Sequence, residues 1–306
     1  MDRFQEMQVF LAVVEERGFA AAARRLKVSP PSVTRAIAAM EQRIGTQLLS
    51  RTTRSLHLSE AGQRYLDDCR RILAELEEAQ ETAAGSYSIP SGHLTMTAPV
   101  LFGELFVAPI LADYLDRFAR VDINALLVDR VVNMADEGID VAVRIGHLQE
   151  AGQQMIKVGE VRRVVCASPG YLERHGWPTH PEALHGANIV TSSASQSVGE
   201  WEFFEAGKAL NVAIAARLVV TANNAAINLA RLGWGVTRVL SYQVAGHVSA
   251  GELDIVLEDF EPPALPIHVV FQKGTRVPAK VRTFVDFLAN RLGQDGVLNP
   301  GMKRPG

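Results

Sequence analysis

Residues 28–58, VSPPSVTRAIAAMEQRIGTQLLSRTTRSLHL, decide how the first part of this chain folds. Val33, Ile37, Met40 and Ile44 recur at helical spacing and form one stripe, with Arg35, Ala38, Ala39 and Gln42 on the opposite face. Ser29 stands where an N-cap belongs, Pro30 and Pro31 suit a first turn that needs no backbone N–H, and Gly45 suits a left-handed stop. The spacing predicts a helix over 30–44. Upstream, Ala20 to Leu26 reads as a short helix joined to it through Lys27 and Val28, the layout of a helix-turn-helix whose second helix enters the major groove.

Between residues 24 and 58 the basic side chains are Arg24, Arg25, Lys27, Arg35, Arg43, Arg51 and Arg54, against Glu41 as the one acidic residue, although the whole chain carries −3. Neutralising phosphates supplies much of the affinity of a DNA-binding module, so the local excess matters more than the sum. The alternative is a solvated basic helix pair. After Gly45, the segment Leu48 to Leu58 reads as a short hairpin, a wing. The expected DNA contacts are Ser29, Pro31, Ser32, Thr34 and Arg35 at the start of the recognition helix, with Arg51, Thr53 and Arg54 of the wing on the backbone or in the minor groove.

Helix, helix-turn-helix, the R-T-T-R wing at 51–54 and the S-E-A-G opening of a long helix at 59–62 together resemble the LysR-type transcriptional regulators, over nearly the whole chain. Later landmarks similar to that family's effector domain are EGIDVAVRIG at 137–146, ASPGYLERHGWP at 167–178 and Trp201-Glu202-Phe203. Where the family usually opens the recognition helix with Gln-Pro, this chain has Pro30-Pro31. Ala20 stands where a Ser or Thr usually caps the first helix of the pair, Thr34 replaces a usual Ser, and Leu49 a usual Phe. The resemblance implies an α/β protein: an N-terminal winged helix-turn-helix, a long linker helix and a two-lobed, periplasmic-binding-protein-like effector domain. Its implied partners are a double-stranded DNA operator, a small-molecule effector, further copies of itself as dimer or tetramer, and RNA polymerase.

At 306 residues, 47% hydrophobic and 21% charged, the chain has room for two or three globular domains. A pI near 6.3 excludes a uniformly basic coat protein. Met1 to Glu6 is too polar for a secretory leader, and no apolar run reaches membrane-spanning length. Cys69 and Cys166 match neither a disulfide framework nor a metal spacing. A cytoplasmic location and no cofactor are expected.

Phe4, Met7, Leu11 and Val14 suggest the buried stripe of a first helix. Ser59 caps a long helix whose Leu66, Cys69, Leu73 and Leu76 alternate at three and four, the seam of a dimerising coiled coil. Dimerisation has a purpose, because two recognition helices at fixed separation read two half-sites. The boundaries read as 1–58 for the DNA-binding domain, 59–86 for the linker helix, 87–92 for a hinge and 93–292 for the effector domain. Within it, lobe I takes 93–160 plus 266–292 and lobe II 161–265, and 293–306 reads as a disordered tail.

In the effector domain, strands at 94–97, 121–128, 141–144, 161–167, 212–219 and 236–238 alternate with helices at 101–118, 131–137 and 221–232, which implies parallel sheets. Ligands of such sheets bind beyond the carboxyl ends of strands. The expected effector residues are Ala98, Pro99, Val100, Phe102, Arg144, Thr191, Ser193, Asn223, Thr237 and Arg238. Val100, Leu101 and Phe102 stand where family members often place a Ser or Thr, so an apolar or aromatic ligand is expected, its charge met by Arg144 or Arg238. The alternative is that both arginines are structural, pairing with Asp129, Glu137 or Asp140. His175, His180 and His185, spaced by five, do not make a metal face, and no G-x-S-x-G elbow, P-loop or dinucleotide fingerprint appears, so no enzyme is expected. The rival reading is a two-lobed small-molecule-binding protein without specific DNA recognition.

Overall fold

Asp2 opens the first helix with a capping box: its carboxylate accepts from the Gln5 N–H, and the Gln5 side chain accepts from the Asp2 N–H. From there the computed structural model describes residues 2–51, 56–83, 90–148, 152–194, 199–273 and 277–299. They fall into two compact units divided at His93 and Leu94.

The first unit runs α1 (Arg3–Glu15), α2 (Phe19–Leu26), α3 (Pro30–Ile44), β1 (Leu49–Arg51), β2 (Leu56–Leu58) and α4 (Glu60–Ala83). Its core joins Val9, Phe10 and Val13 of α1, Ala22 and Ala23 of α2, Val33, Ile37 and Met40 of α3, Leu48 and Leu49, and Leu66 and Cys69 of α4. Three expectations change here. The buried face of α1 is Glu6, Val9, Phe10 and Val13, whereas Phe4 is 42% exposed and Met7 packs only at the edge. Glu6 is tolerated in that face because Arg43 lies 2.6 Å from its carboxylate. Ile44, in the last turn of α3, is 41% exposed, and Ala36 completes the stripe. Gly18, not Ala20, is the N-cap of α2.

The second unit opens within β3 (Gly92–Ala98), followed by one long helical stretch: α5 (Val100–Phe102), a π turn over Gly103–Val107, and α6 (Ala108–Arg117). Next come β4 (Val121–Leu127), β5 (Val141–Ile145), β6 (Gln153–Val161), β7 (Arg163–Ala167), α7 (Pro169–His175), β8 (Val190–Ser192), β9 (Glu200–Glu205), β10 (Lys208–Ala213) and β11 (Leu218–Val220). The chain closes with α8 (Asn223–Arg231), β12 (Thr237–Leu240), α9 (Ser241–Ser249), β13 (Asp254–Val256), β14 (Leu265–Gln272) and α10 (Ala279–Gly293).

Lobe I holds a sheet in the order β4-β3-β5-β14-β6. Lobe II holds β12-β7-β13, with β8 and β11 joined to its edge through the bridge between Ile189 and Val236. The sheets are mixed, not parallel as the alternation of strands and helices implied. β3 and β5 run parallel, but β14 returns antiparallel to both β5 and β6, and β7 is antiparallel to β12 and β13. A strand that arrives from the other lobe need not obey the crossover rule.

Other local expectations fail for identifiable reasons. Residues 131–137 form no helix: 131–133 are irregular and 134–138 turn, held by the Asn133 side chain accepting from Ala135 N–H and Asp136 N–H. The strand expected over 212–219 is two strands, β10 and β11, which pair with different partners. Ala222, not Thr221, precedes α8, and α9 was not anticipated. Residues 294–299 are not a disordered tail. Leu298 is fully buried, its carbonyl accepts from Glu160 N–H at 3.0 Å, and Asn299 Nδ2 donates to Val158 O at 3.0 Å. Gly159 makes room, since a Cβ there would lie 2.8 Å from the Leu298 carbonyl oxygen. The end of the expected tail, 300–306, lies outside the described residues.

Candidate nucleic-acid interface and sensing site

The two ends of α3 are set by backbone geometry. Ser29 is extended, Pro30 occupies the first turn, and Gly45 adopts φ 77°, the left-handed conformation that glycine takes without cost. Ser29 sits at the N-cap, but its hydroxyl pairs with Ser32 Oγ at 2.8 Å and makes no capping bond. One face of α3 is fully spent on the core, which leaves Pro31, Thr34, Arg35, Ala38, Ala39 and Gln42 exposed and Ser32 half-buried. Thr34 Oγ1 donates to Pro30 O at 3.3 Å and Arg35 Nε to Pro31 O at 3.4 Å, so both side chains lie back toward the helix start. The expected contacts Ser29, Pro31, Ser32, Thr34 and Arg35 therefore cluster at one end of one helix.

The basic residues of this segment divide into two groups. Arg25 is held by Glu15 at 2.6 Å and Glu16 at 3.4 Å, and Arg43 by Glu6. Arg24, Lys27 and Arg35 are exposed and make no ion pair with a described residue. Sequence reasoning weighted all alike; the carboxylates that neutralise Arg25 come from the end of α1, a long-range contact that local spacing does not reveal. Glu41, the one acid of the segment, turns inward, its Oε1 accepting from Leu48 N–H at 2.8 Å and Leu49 N–H at 3.0 Å. It fastens the start of the β1–β2 hairpin to α3. Thr53 and Arg54 lie outside the described residues, as does the side chain of Arg51.

α4 is capped by Ser59, whose hydroxyl accepts from Gly62 N–H at 2.9 Å and donates to Gln47 O at 2.7 Å. Of the four seam residues, Leu66 and Cys69 are consumed by the core of their own unit, Cys69 with no exposed surface. A side chain already buried gains nothing from a partner helix, so these two are corrected from seam to core. Leu73 and Leu76 are half-exposed. Burial also pushes the Cys69 thiol up to about 11 and the neighbouring Tyr65 phenol up to about 12.

The effector residues scatter more than expected. Ala98 and Phe102 are fully buried, and the Phe102 ring lies 5.0 Å from Phe106 and 5.4 Å from Tyr242, so Phe102 is a core residue and not an open pocket wall. Pro99 and Val100 are half-buried, with the Val100 N–H donating to Asp129 Oδ1 at 3.0 Å. Arg144 donates to Val132 O at 3.3 Å, and burial pulls its pKa below the usual guanidinium value. Arg238 lies over the Trp201 ring at 5.0 Å and donates to Glu202 O at 3.1 Å, its pKa pulled down to about 10 by burial first and by Arg163 second. Alternation along β12 sends Thr237 to the opposite face, where it is fully buried and its Oγ1 finds no partner among the described residues. Thr191 is buried, Ser193 exposed and Asn223 half-buried at the first turn of α8. The anticipated pairings go elsewhere: Asp129 holds a backbone N–H, Asp140 accepts from Thr95 N–H, and Glu137 is gripped by Arg130 through two bonds of 2.8 and 2.6 Å.

Among the described residues no helix is long and apolar enough to cross a membrane, and no group of three or more His, Cys, Asp or Glu is arranged to hold a metal. Residues 4–63 match the family described as bacterial regulatory helix-turn-helix protein, lysR family, and residues 88–293 match the LysR substrate binding domain. The chain is 33% identical to an HTH-type transcriptional regulator of Xanthomonas campestris, over 94% of this chain and 85% of that one. It is 27% identical to the HTH-type transcriptional regulator CrgA of Neisseria meningitidis, over 95% of this chain and 97% of that one. Its fold is similar to the solved structure of CrgA, with a TM-score of 0.61 over 96% of this chain and 100% of that one at 27% identity. A similar fold is found in the Vibrio cholerae virulence activator AphB, with a TM-score of 0.61 over 94% and 99% at 24% identity. With a helix-turn-helix in its first unit and a two-lobed α/β fold in its second, the chain belongs to the LysR family of bacterial transcriptional regulators.

Proposed function

We propose that this regulator binds a two-fold DNA operator through α3 and the β1–β2 hairpin of two copies, and that its C-terminal unit senses a small molecule. The observation that carries the reading is the division of α3: Val33, Ala36, Ile37 and Met40 are buried while Thr34, Arg35, Ala38, Ala39 and Gln42 are exposed on one continuous face. A helix with its inner face packed and an outer face of short and polar side chains left exposed by its own unit fits the major groove.

Half-exposed Leu73 and Leu76 on α4 support a dimer built on the distal half of that helix. Effector binding would shift an equilibrium between arrangements of the paired copies and so change the separation of the recognition helices. Assembly to a tetramer and contact with RNA polymerase belong to the same proposal, as do a cytoplasmic location and the lack of catalytic activity. The test is an electrophoretic mobility assay on a DNA with two inverted half-sites selected from random sequence. The wild type should retain it as a dimer. A variant with Arg35→Ala and Gln42→Ala should lose that preference while keeping its thermal transition; undiminished preference would remove α3 from the interface.

A further inference from the structure

His268 on β14 has two direct cross-strand neighbours, Arg144 on β5 and Lys157 on β6. Since side chains directly opposite in a sheet share a face, the three basic residues form a row across the lobe I sheet. His147 lies near enough to this row to act on the His268 charge. Arg144 and Lys157, the charged members of the row, flank the imidazole on one face, and like charges so placed cost stability unless something answers them.

The available carboxylates answer this row only in part, at Lys157. Glu137, which faces Arg144, is committed to the bidentate pair with Arg130. Glu160 pairs with Lys157 at 3.1 Å, on the exposed side. Arg144 is half-buried, donates to a carbonyl oxygen, and makes no ion pair with a described residue. His268 Nδ1 is buried and finds no hydrogen-bond partner among the described residues. A buried ring nitrogen without a partner, beside a half-buried guanidinium that has no ion pair among the described residues, is a costly arrangement for a fold alone. The same sheet face continues into an apolar cluster of Val132, Met134, Ile139, Ala142 and Val270, with Met155 packed against it.

We propose that the row Arg144, His268 and Lys157, with His147 at its side, binds the oxyanion of a small ligand, a carboxylate or a phosphate, on the face of the lobe I sheet. The proposal rests on the C-terminal unit being a sensor and gives that sensor a charge preference and a place. It puts the ligand's charge on the strand faces, not on helix N-termini. Burial, then Lys157 and His147, hold the His268 imidazole below its ordinary pKa, so near neutral pH it meets the anion as a neutral N–H donor.

The experiment uses the full chain labelled with ¹³C at the histidine ring, the His268 resonance being the one missing from the spectrum of His268→Gln. Inorganic phosphate and acetate are titrated separately against chloride at constant ionic strength. The proposal expects a saturable shift of the His268 resonance with at least one of the two, weakened about tenfold or more in Arg144→Gln and in Lys157→Gln. The anion that saturates at lower concentration identifies the headgroup. Lys157 is exposed, so its variant tests the site without endangering the fold. No saturable shift with either anion up to about 50 mM, well past the millimolar range of a single weak site, would overturn the proposal. A shift equally strong in both variants would overturn it as well. The sensor reading fails separately: anion binding at His268 with no ligand altering operator binding would sink that reading and leave the site, whereas an effector response unchanged in Arg144→Gln and His268→Gln would sink the site and leave the sensor.

Discussion

The carboxylate of Glu41, near the end of α3, lies 2.8 Å from the amide nitrogen of Leu48, at the entry to the β1–β2 hairpin. The same oxygen accepts from Leu49 N–H at 3.0 Å. The two elements proposed to meet DNA, α3 and the hairpin, are thus fixed to each other by a side chain of α3 that is itself spent on this link. Glu41→Ala leaves two backbone donors without their charged acceptor, at a cost of about 1–3 kcal/mol. We expect a lower denaturation midpoint and weaker operator binding, both measurable on the purified chain. An unchanged midpoint would show that water replaces the carboxylate.

Gly62 occupies the first turn of α4 against the backbone of the same hairpin entry. A Cβ there would stand 2.0 Å from the Leu48 carbonyl oxygen and 2.9 Å from its carbon. Backbone cannot swing aside as a flexible side chain can, so Gly62→Ala should destabilise the N-terminal unit by about 1–3 kcal/mol although alanine is the better helix former. Chemical denaturation followed by circular dichroism reads this directly.

The ion pairs of α1 divide the basic residues by charge environment. Arg25 is neutralised by Glu15 and Glu16, whereas Lys27 and Arg35 make no ion pair with a described residue. Replacing Arg35 or Lys27 by alanine should therefore lower the slope of log affinity against log salt by about 1 each, and Arg25→Ala should leave it nearly unchanged. A salt series on one operator fragment separates the three.

How far the sequence revealed this molecule follows from the range of each signal. α3, its Gly45 stop, the Ser59 cap and the hairpin between them rest on neighbours within a few residues, and local spacing found them. Phe4 and Ile44 have the right spacing for burial but sit beyond the reach of the small N-terminal core, and Glu6 is buried because Arg43, far along the chain, comes back to it. In the second unit many strands were legible, but β6 was not foreseen and 212–219 is two strands, and the directions were hidden, since β14 returns to lobe I only after the chain has crossed lobe II. Phe102 was read as a pocket wall because it follows a strand; the rings of Phe106 and Tyr242 that enclose it belong to a packing no local pattern carries. Leu298 follows a helix stop and the short run Gly293-Gln294-Asp295-Gly296, and composition said nothing of the place beside Gly159 that receives it.

Both cysteines are buried, with the Cys69 thiol pushed up to about 11 and the Cys166 thiol up to about 12 by the loss of solvent around the thiolate. Native protein should react with a thiol reagent at pH 8 only at the rate of its unfolding, and both thiols should react at once in denaturant. A folded pKa raised above the ordinary thiol value of 9.0 gives stability that is complete below that pH and is lost as pH rises through about 11 and 12. Fast labelling of native protein at pH 8 would contradict the burial of either group.

β6 is an edge strand of the lobe I sheet, and the segment ending in Leu298 and Asn299 covers part of it. Ending the chain at residue 293 should uncover those backbone groups and the apolar pocket of Leu298. We expect a lower thermal midpoint and concentration-dependent association by sedimentation, and Leu298→Ala in the full chain should cost about 2–5 kcal/mol.

The central claim is that the exposed face of α3, presented twice, reads a defined DNA sequence. The most direct measurement is to incubate the purified full chain with sheared DNA of its source organism at near-physiological salt and sequence the fragments it retains. The structure predicts a small set of discrete sites with two-fold symmetry, lost in the variant carrying Arg35→Ala and Gln42→Ala. Uniform retention that disappears with added salt, or the same sites retained by that variant, would contradict it.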